Sequence, residues 1–362
     1  MKKEQTEVAI TEHFCKKVHN DSKIQHASLL VHSDRLGIHL NLAEGRAEHH
    51  TIHPEQPFYI ASISKLFTSV LIGMLVEKGQ LAYEDPISRY LDQDLLHQLH
   101  FYKGKDYTSE IQIRHLLNHT SGLHCFFEDQ PKQGKSMIDR IIDEPERTWT
   151  PQEALLWAKA HLHGHFPPGK GFHYSDTGYH LLGLIIEKVT SLPYHDVLLI
   201  YIFAPLRMYD SYIAPGKPMH QSEYPLARLF VRHIDVTDYN SISFMYAGGG
   251  IVSTTEDLLR FMRALVGHEL ICSQTIDTMM KDWARFFPGI DYGYGVMRFR
   301  AIPILMPAKY HAWGNAGSTG SFMFYHPATD AYLIGSMNQF RYHQKGIRLM
   351  MQTIDKLLKC DA

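Results

Sequence analysis

The sequence predicts an α/β (α+β) protein: an antiparallel sheet built from both chain ends, flanked by helices, with an inserted, mainly helical part. Three observations predict it. Short, alternating apolar runs cluster near the two termini, stretches with helical periodicity fill the centre between Pro- and Gly-bearing loops, and the last segment again has a helical pattern. A chain of 362 residues exceeds what a single core usually holds, so a large two-part unit is expected. We expect one domain over 1–362, with 1–82 and about 247–362 forming the sheet part and about 83–246 the helical part.

In chain order, 28–32 and 37–42 read as strands around the turn Asp34-Arg35-Leu36-Gly37. From Ser62 the apolar residues Ile63, Leu66, Phe67, Val70, Leu71, Met74 and Leu75 form an i, i+3, i+4, i+7 stripe, and Gly79 is a natural stop. This predicts an amphipathic helix over 62–78. Further helices are expected at about 111–118, 151–162, 177–190, 194–203 and 255–266. Near the end, 310–313, 321–325 and 332–337 offer strands, with 326–330 as a turn, before a helix at about 344–358.

Hydrophobic residues at 44%, charged residues at 20% and a net charge of −2 describe an ordinary globular protein and give no electrostatic case for a nucleic-acid partner. No run of 18 apolar residues occurs, and the basic start Met1-Lys2-Lys3 is not followed by an apolar segment. A cytoplasmic protein is expected, or an exported one if a leader has been removed. Cys15, Cys125, Cys272 and Cys360 are scattered without metal spacing, which fits reduced, structural thiols.

The stretch Ser62-Ile63-Ser64-Lys65 places a hydroxyl and an amine three residues apart at a helix start. Residues so spaced are neighbours, and the free N–H groups of a helix N-terminus favour a developing oxyanion. Two further stretches belong with it: Tyr174-Ser175-Asp176 and Asn315-Ala316-Gly317-Ser318-Thr319-Gly320. Together they resemble the three active-site motifs of the serine β-lactamase and penicillin-binding-protein-like hydrolases. The branch with a Tyr-x-Asn second motif is the nearest, comprising class C β-lactamases, D-alanyl-D-alanine carboxypeptidases, D-aminopeptidases and esterases. The stretches 116–123, 166–169 and 247–254 match it too.

The resemblance implies a β-lactamase/transpeptidase-like fold with the site in a groove between its two parts. It also implies the roles. Ser62 is the expected nucleophile, forming an acyl-enzyme, and Lys65 and Tyr174 carry its proton, with the choice of base left open. The Ser318 backbone N–H completes the oxyanion hole, and Gly317 allows close backbone approach.

Two positions depart from the pattern. Asp176 replaces the usual Asn; it would either bond Lys65 and hold it as an ammonium, moving the base role toward Tyr174, or cap the following helix. Asn315 stands where relatives carry Lys or His, so the charge-assisted grip on a substrate carboxylate is missing. Weak recognition of β-lactams and D-Ala-D-Ala ends is expected, with neutral esters or amides tolerated better.

His119, Thr120 and Ser121 are expected to be structural. The run His161-Leu162-His163-Gly164-His165 lacks a carboxylate or cysteine signature, so no metal and no cofactor is expected. The expected activity is hydrolysis of a small-molecule or peptide ester or amide. Acyl transfer, or a non-catalytic binding role on the same fold, are the alternatives.

Overall fold

A computed structural model describes residues 1–46, 52–220, 222–303 and 306–361. An eight-stranded antiparallel sheet forms its centre. Across the sheet the order is Ala284–Phe287, Ile290–Tyr292, Met297–Phe299, Trp313–Ala316, Phe322–His326, Ala331–Ser336, His26–Ser33 and Ile38–Gly45. The chain ends meet where Leu30 stands opposite Ile334, so the sheet joins both termini as the sequence predicts.

Strand periodicity divides the core between the two sheet faces. Leu29, Val31, Phe322, Phe324 and Leu333 pack on one side with the terminal helices Lys3–His19 and His343–Leu357, whereas Leu30, Met323 and Ile334 face the helical part. The helix Lys3–His19 is absent from the sequence reading, although Thr6, Ile10, Phe14 and Val18 recur every four residues and are buried. Polar residues between them mask that stripe. The three strands over 284–299 were also unassigned; each has only three or four residues, too few for alternation to register.

Local signals set several helix starts. Thr150 and Glu153 form a capping box around Pro151 at the start of Pro151–His161, and Thr254 caps Thr255–Val266. Gly79 lies at φ +66° just past Ser64–Glu77, the left-handed stop its sequence position suggests.

The helix Ser64–Glu77 corrects one expectation. It is not amphipathic: every residue from Ser64 to Gly73 is buried, because the sheet covers one side and the helices Asp176–Thr190 and Thr255–Val266 cover the others. Ser62 itself lies in a 3₁₀ turn, Ala61–Ile63, that precedes the α-helix. Among the described residues no helix is long and apolar enough to cross a membrane.

Candidate active site

The turn carrying Ser62 is held in an uncommon conformation. Ala61 has φ +50°, a region in which a non-glycine residue is strained and needs support from its surroundings. The Ile60 amide donates to the Ile251 carbonyl at 3.0 Å and the Ser321 hydroxyl donates to the Ile60 carbonyl at 2.8 Å. On the helix that follows, Ser64 Oγ accepts the Ile251 amide and Thr68 Oγ1 donates to the Ala247 carbonyl. The Ala247–Ser253 stretch thereby fixes both turn and helix.

One turn on, Lys65 is wholly buried. Its Nζ donates to Ser62 Oγ at 3.1 Å, to the Gly248 carbonyl at 2.7 Å and to Asp176 Oδ1. Three acceptors match the three N–H donors of an ammonium. The rings of Tyr174 and Tyr179 lie 5.0 and 5.4 Å from Nζ, where a π-face attracts a cation. A Cβ at Gly248 would stand 3.0 Å from Asp176 Oδ1 and 3.5 Å from Lys65 Nζ, so glycine there leaves room for the ion pair.

Asp176 reaches Lys65 from the first turn of Asp176–Thr190. The other alternative, that Asp176 caps this helix, is overturned: the cap is Ser175, whose Oγ accepts the Gly178 amide and donates to the His124 carbonyl. Ser175 is thus free to terminate the helix while Asp176 faces the site. The Cys125 thiol donates toward Asp176 Oδ2 at 3.5 Å, and burial, with Asp176 adding to it, pushes that thiol well above its usual pKa.

Tyr174 packs against His119, ring centroids 4.2 Å apart, and against Phe286 and Tyr292. Burial, then the Asp176 charge, raises its phenol well above the usual range, while a hydrogen bond with Ser62 works in the opposite direction. His119 is buried; its Nδ1 accepts the Ser175 amide, and burial followed by the Lys65 charge lowers its pKa well below the ordinary value. A neutral, packed ring at this place supports Tyr174 and Ser175.

Asn315 is fully buried. Its Nδ2 donates to the Gly295 carbonyl at 2.8 Å and to Tyr292 Oη at 3.4 Å, and its Oδ1 accepts the Ala316 amide. Those bonds occupy the side chain behind Tyr292, outside the lining of the adjacent cavity. Gly317 and Ser318 do line that cavity, beside Ser62, Tyr174 and Asp176. Among the described residues the Ser318 amide has no acceptor of its own.

The cavity has a volume of about 280 Å³, and its walls are largely aromatic and aliphatic. Its charged or titratable lining consists of Tyr174, Asp176, Glu128 and His343, with no lysine or arginine. Glu128 has no ion-pair partner among the described residues. Burial raises its carboxyl above the ordinary range and Asp176 adds to the shift, while the Arg341 and Lys65 charges act in the opposite direction. Sequence reading missed Glu128, Tyr292 and Phe286, since no local pattern marks them.

This constellation on this fold defines the class of serine β-lactamase and penicillin-binding-protein-like proteins. The Beta-lactamase family matches residues 30–353, and the chain belongs to it. It is 31% identical over 256 residues to Penicillin-binding protein 4* of Bacillus subtilis (strain 168), covering 66% of this chain and 51% of that protein. With Serine beta-lactamase-like protein LACTB, mitochondrial, of Homo sapiens it shares 26% over 272 residues, 59% of this chain and 48% of that one. The chain therefore spans about half the length of these curated relatives.

Among solved structures, a D-stereospecific amidohydrolase from Streptomyces sp. superposes with a TM-score of 0.78 at 25% identity, covering 94% of this chain and 97% of that one. D-amino acid amidase from Ochrobactrum anthropi SV3 gives 0.75 at 26%, covering 97% and 99%. EstCE1, a hydrolase with promiscuous acyltransferase activity, shares the fold at 0.75 and 20% identity, covering 98% of each chain.

Proposed function

We propose that this protein is a serine hydrolase that cleaves an ester or amide through an acyl-Ser62 intermediate. The observation that carries this reading is the contact of the buried Lys65 Nζ with Ser62 Oγ while Asp176 and the Gly248 carbonyl hold its other two donors. An ammonium so placed polarises Oγ as it becomes an alkoxide. Tyr174, kept as a phenol, accepts the Ser62 proton as its own passes to the leaving group. The Oγ–C bond forms, the bond to the leaving nitrogen or oxygen breaks, and the proton ends on the departing group. The amides of Ser62 and Ser318 would hold the carbonyl oxygen, and water reverses the sequence to free the acid. Mass spectrometry of the intact protein incubated with a panel of esters, β-lactams and D-amino-acid amides should reveal an acyl adduct that vanishes in Ser62→Ala. No adduct with any donor would sink the reading.

The cavity also favours a substrate charge. Its lining offers carboxylates and no cation, and the Asn315 amide is engaged elsewhere, which supports exclusion of carboxylate-bearing substrates. Glu128, in no close ion pair although Arg341 and Lys65 act on it from farther away, is the carboxylate that would meet an ammonium. An amino-acid amide with a free α-amine and an apolar side chain fits both features, and one neighbour of this fold is named a D-amino acid amidase. Glu128→Gln is expected to raise KM for amino-acid amides about tenfold, with kcat and neutral-ester turnover little changed, the size of one charge-assisted contact. Because the Glu128 carboxyl is raised, the wild-type advantage for amines should fade as pH falls through its pKa and persist above it. Equal KM values for amine and neutral substrates in both proteins would contradict this.

A further inference from the structure

Beside the cavity, three chain segments converge on one carboxylate. Asp129 follows the cavity residues Phe126, Phe127 and Glu128, His173 precedes Tyr174, and His165 comes from the loop after Pro151–His161. His165 Nε2 lies 2.9 Å from Asp129 Oδ2 and His173 Nε2 lies 3.1 Å from Asp129 Oδ1. The two imidazoles lie face to face, 3.5 Å between centroids, and the three ligand atoms all fall within 4.8 Å of one another. Backbone bonds fix each segment: the His165 amide to the Gly122 carbonyl, the His173 amide to the His119 carbonyl, and the Asp129 amide to the Cys125 carbonyl. The Cys125 amide also donates to Asp129 Oδ2 at 2.8 Å, which orients the carboxylate. His161 takes no part: the helix ends there and its Nδ1 is bonded to the Trp157 carbonyl.

We propose that Asp129, His165 and His173 form a binding site for a divalent transition-metal ion of the zinc type. Two imidazole nitrogens and one carboxylate oxygen suit Zn²⁺, Co²⁺ or Ni²⁺ and not Mg²⁺ or Ca²⁺, which prefer all-oxygen shells. With metal–ligand bonds of about 2.0–2.2 Å, tetrahedral ligands stand about 3.3 Å apart, close to the spacings between Asp129 and each imidazole; one ring of the stacked pair turns on binding so that both Nε2 lone pairs meet the ion. The half-exposed edge at His165 leaves the remaining position to water. The ion lies outside the proposed reaction. It ties the segment carrying Phe126 to Glu128 to the segment carrying Tyr174, clamping two cavity walls together.

Calorimetric titration of Zn²⁺ into chelator-treated protein tests the site, with Co²⁺ absorption reporting coordination and amide exchange reporting the clamp. The expected result is one tight equivalent per chain, a raised Tm, and slower exchange in 123–129 and 165–174. His165→Ala, at an exposed position, and Asp129→Asn, which keeps an acceptor for the Cys125 amide, should each weaken binding about tenfold or more, at least the loss typical of an outer-shell change. Uptake of equal affinity in wild type and both variants would place the ion on other histidines of the 25 in the chain and overturn the site. Binding at the site without any change in exchange would overturn the clamp.

Discussion

Replacing Lys65 with methionine is expected to lower acylation about 10²–10³-fold and to destabilise the fold by about 3 kcal/mol. The first effect follows from removing the cation that is bonded to Ser62 Oγ and stabilises it as it becomes an alkoxide, since one preorganised donor of this kind is worth about 10²–10³ in rate. The second follows from leaving Asp176 without its buried partner. Breaking such a pair costs about 3–5 kcal/mol, and the lower end applies because the Asp176 side chain keeps 14% of its surface exposed. The two effects separate in the double variant Lys65→Met, Asp176→Asn, which removes the orphaned charge. Urea denaturation should show most of the stability restored, while acylation stays at the level of the single variant. Activity within tenfold of wild type in Lys65→Met, or a double variant no more stable than the single, would refute the assignment.

The same ion pair marks how far the sequence could be read. Ser62, Lys65 and Tyr174 were legible because each lies in a short local motif, and a three-residue spacing becomes a contact on any helix. Asp176 was legible only as two alternatives. What decides between them is Ser175 one residue earlier, whose bonds to Gly178 and His124 take over the cap, and His124 is brought there by tertiary folding. Likewise the need for glycine at 248 is set by the approach of Asp176 and Lys65 from two other segments.

Asn315 shows the limit more plainly. The sequence states that an amide replaces a cation, but the direction of that amide depends on Gly295 and Tyr292. Tyr292 belongs to a three-residue strand that periodicity does not reveal. The fold was legible where an apolar pattern stood out, as at Thr255–Val266 and Ser64–Glu77, but the extent of burial around a helix was not. The helix Ser64–Glu77 is apolar on one predicted stripe yet enclosed over most of its surface, since Ser64, Thr68 and Ser69 are buried by hydrogen bonding and not by hydrophobicity.

Gly317→Ala is expected to lower kcat about 10²–10³-fold with little change in KM. A Cβ on this residue would lie 2.9 Å from Ala61 Cβ, 2.9 Å from the Ile60 carbonyl oxygen and 2.3 Å from Ser321 Oγ. Rotation can move the serine hydroxyl, but Ile60 and Ala61 are the backbone of the turn that carries Ser62, and Ala61 is already held at φ +50°. The clash is therefore relieved by pushing the end of strand Trp313–Ala316 away from Ser62, and the next residue along is Ser318, whose amide lines the cavity. A displaced donor acts as a missing one, and loss of one oxyanion donor costs about 2.7–4 kcal/mol in the transition state and little in the ground state. Ser318→Ala leaves the backbone in place and should be nearly silent. Burst kinetics with an activated ester would read the difference, with the titre of reactive Ser62 preserved in both variants. Gly317→Ala within about threefold of wild type, or Ser318→Ala equally damaging, would move the oxyanion role from this backbone to a side chain.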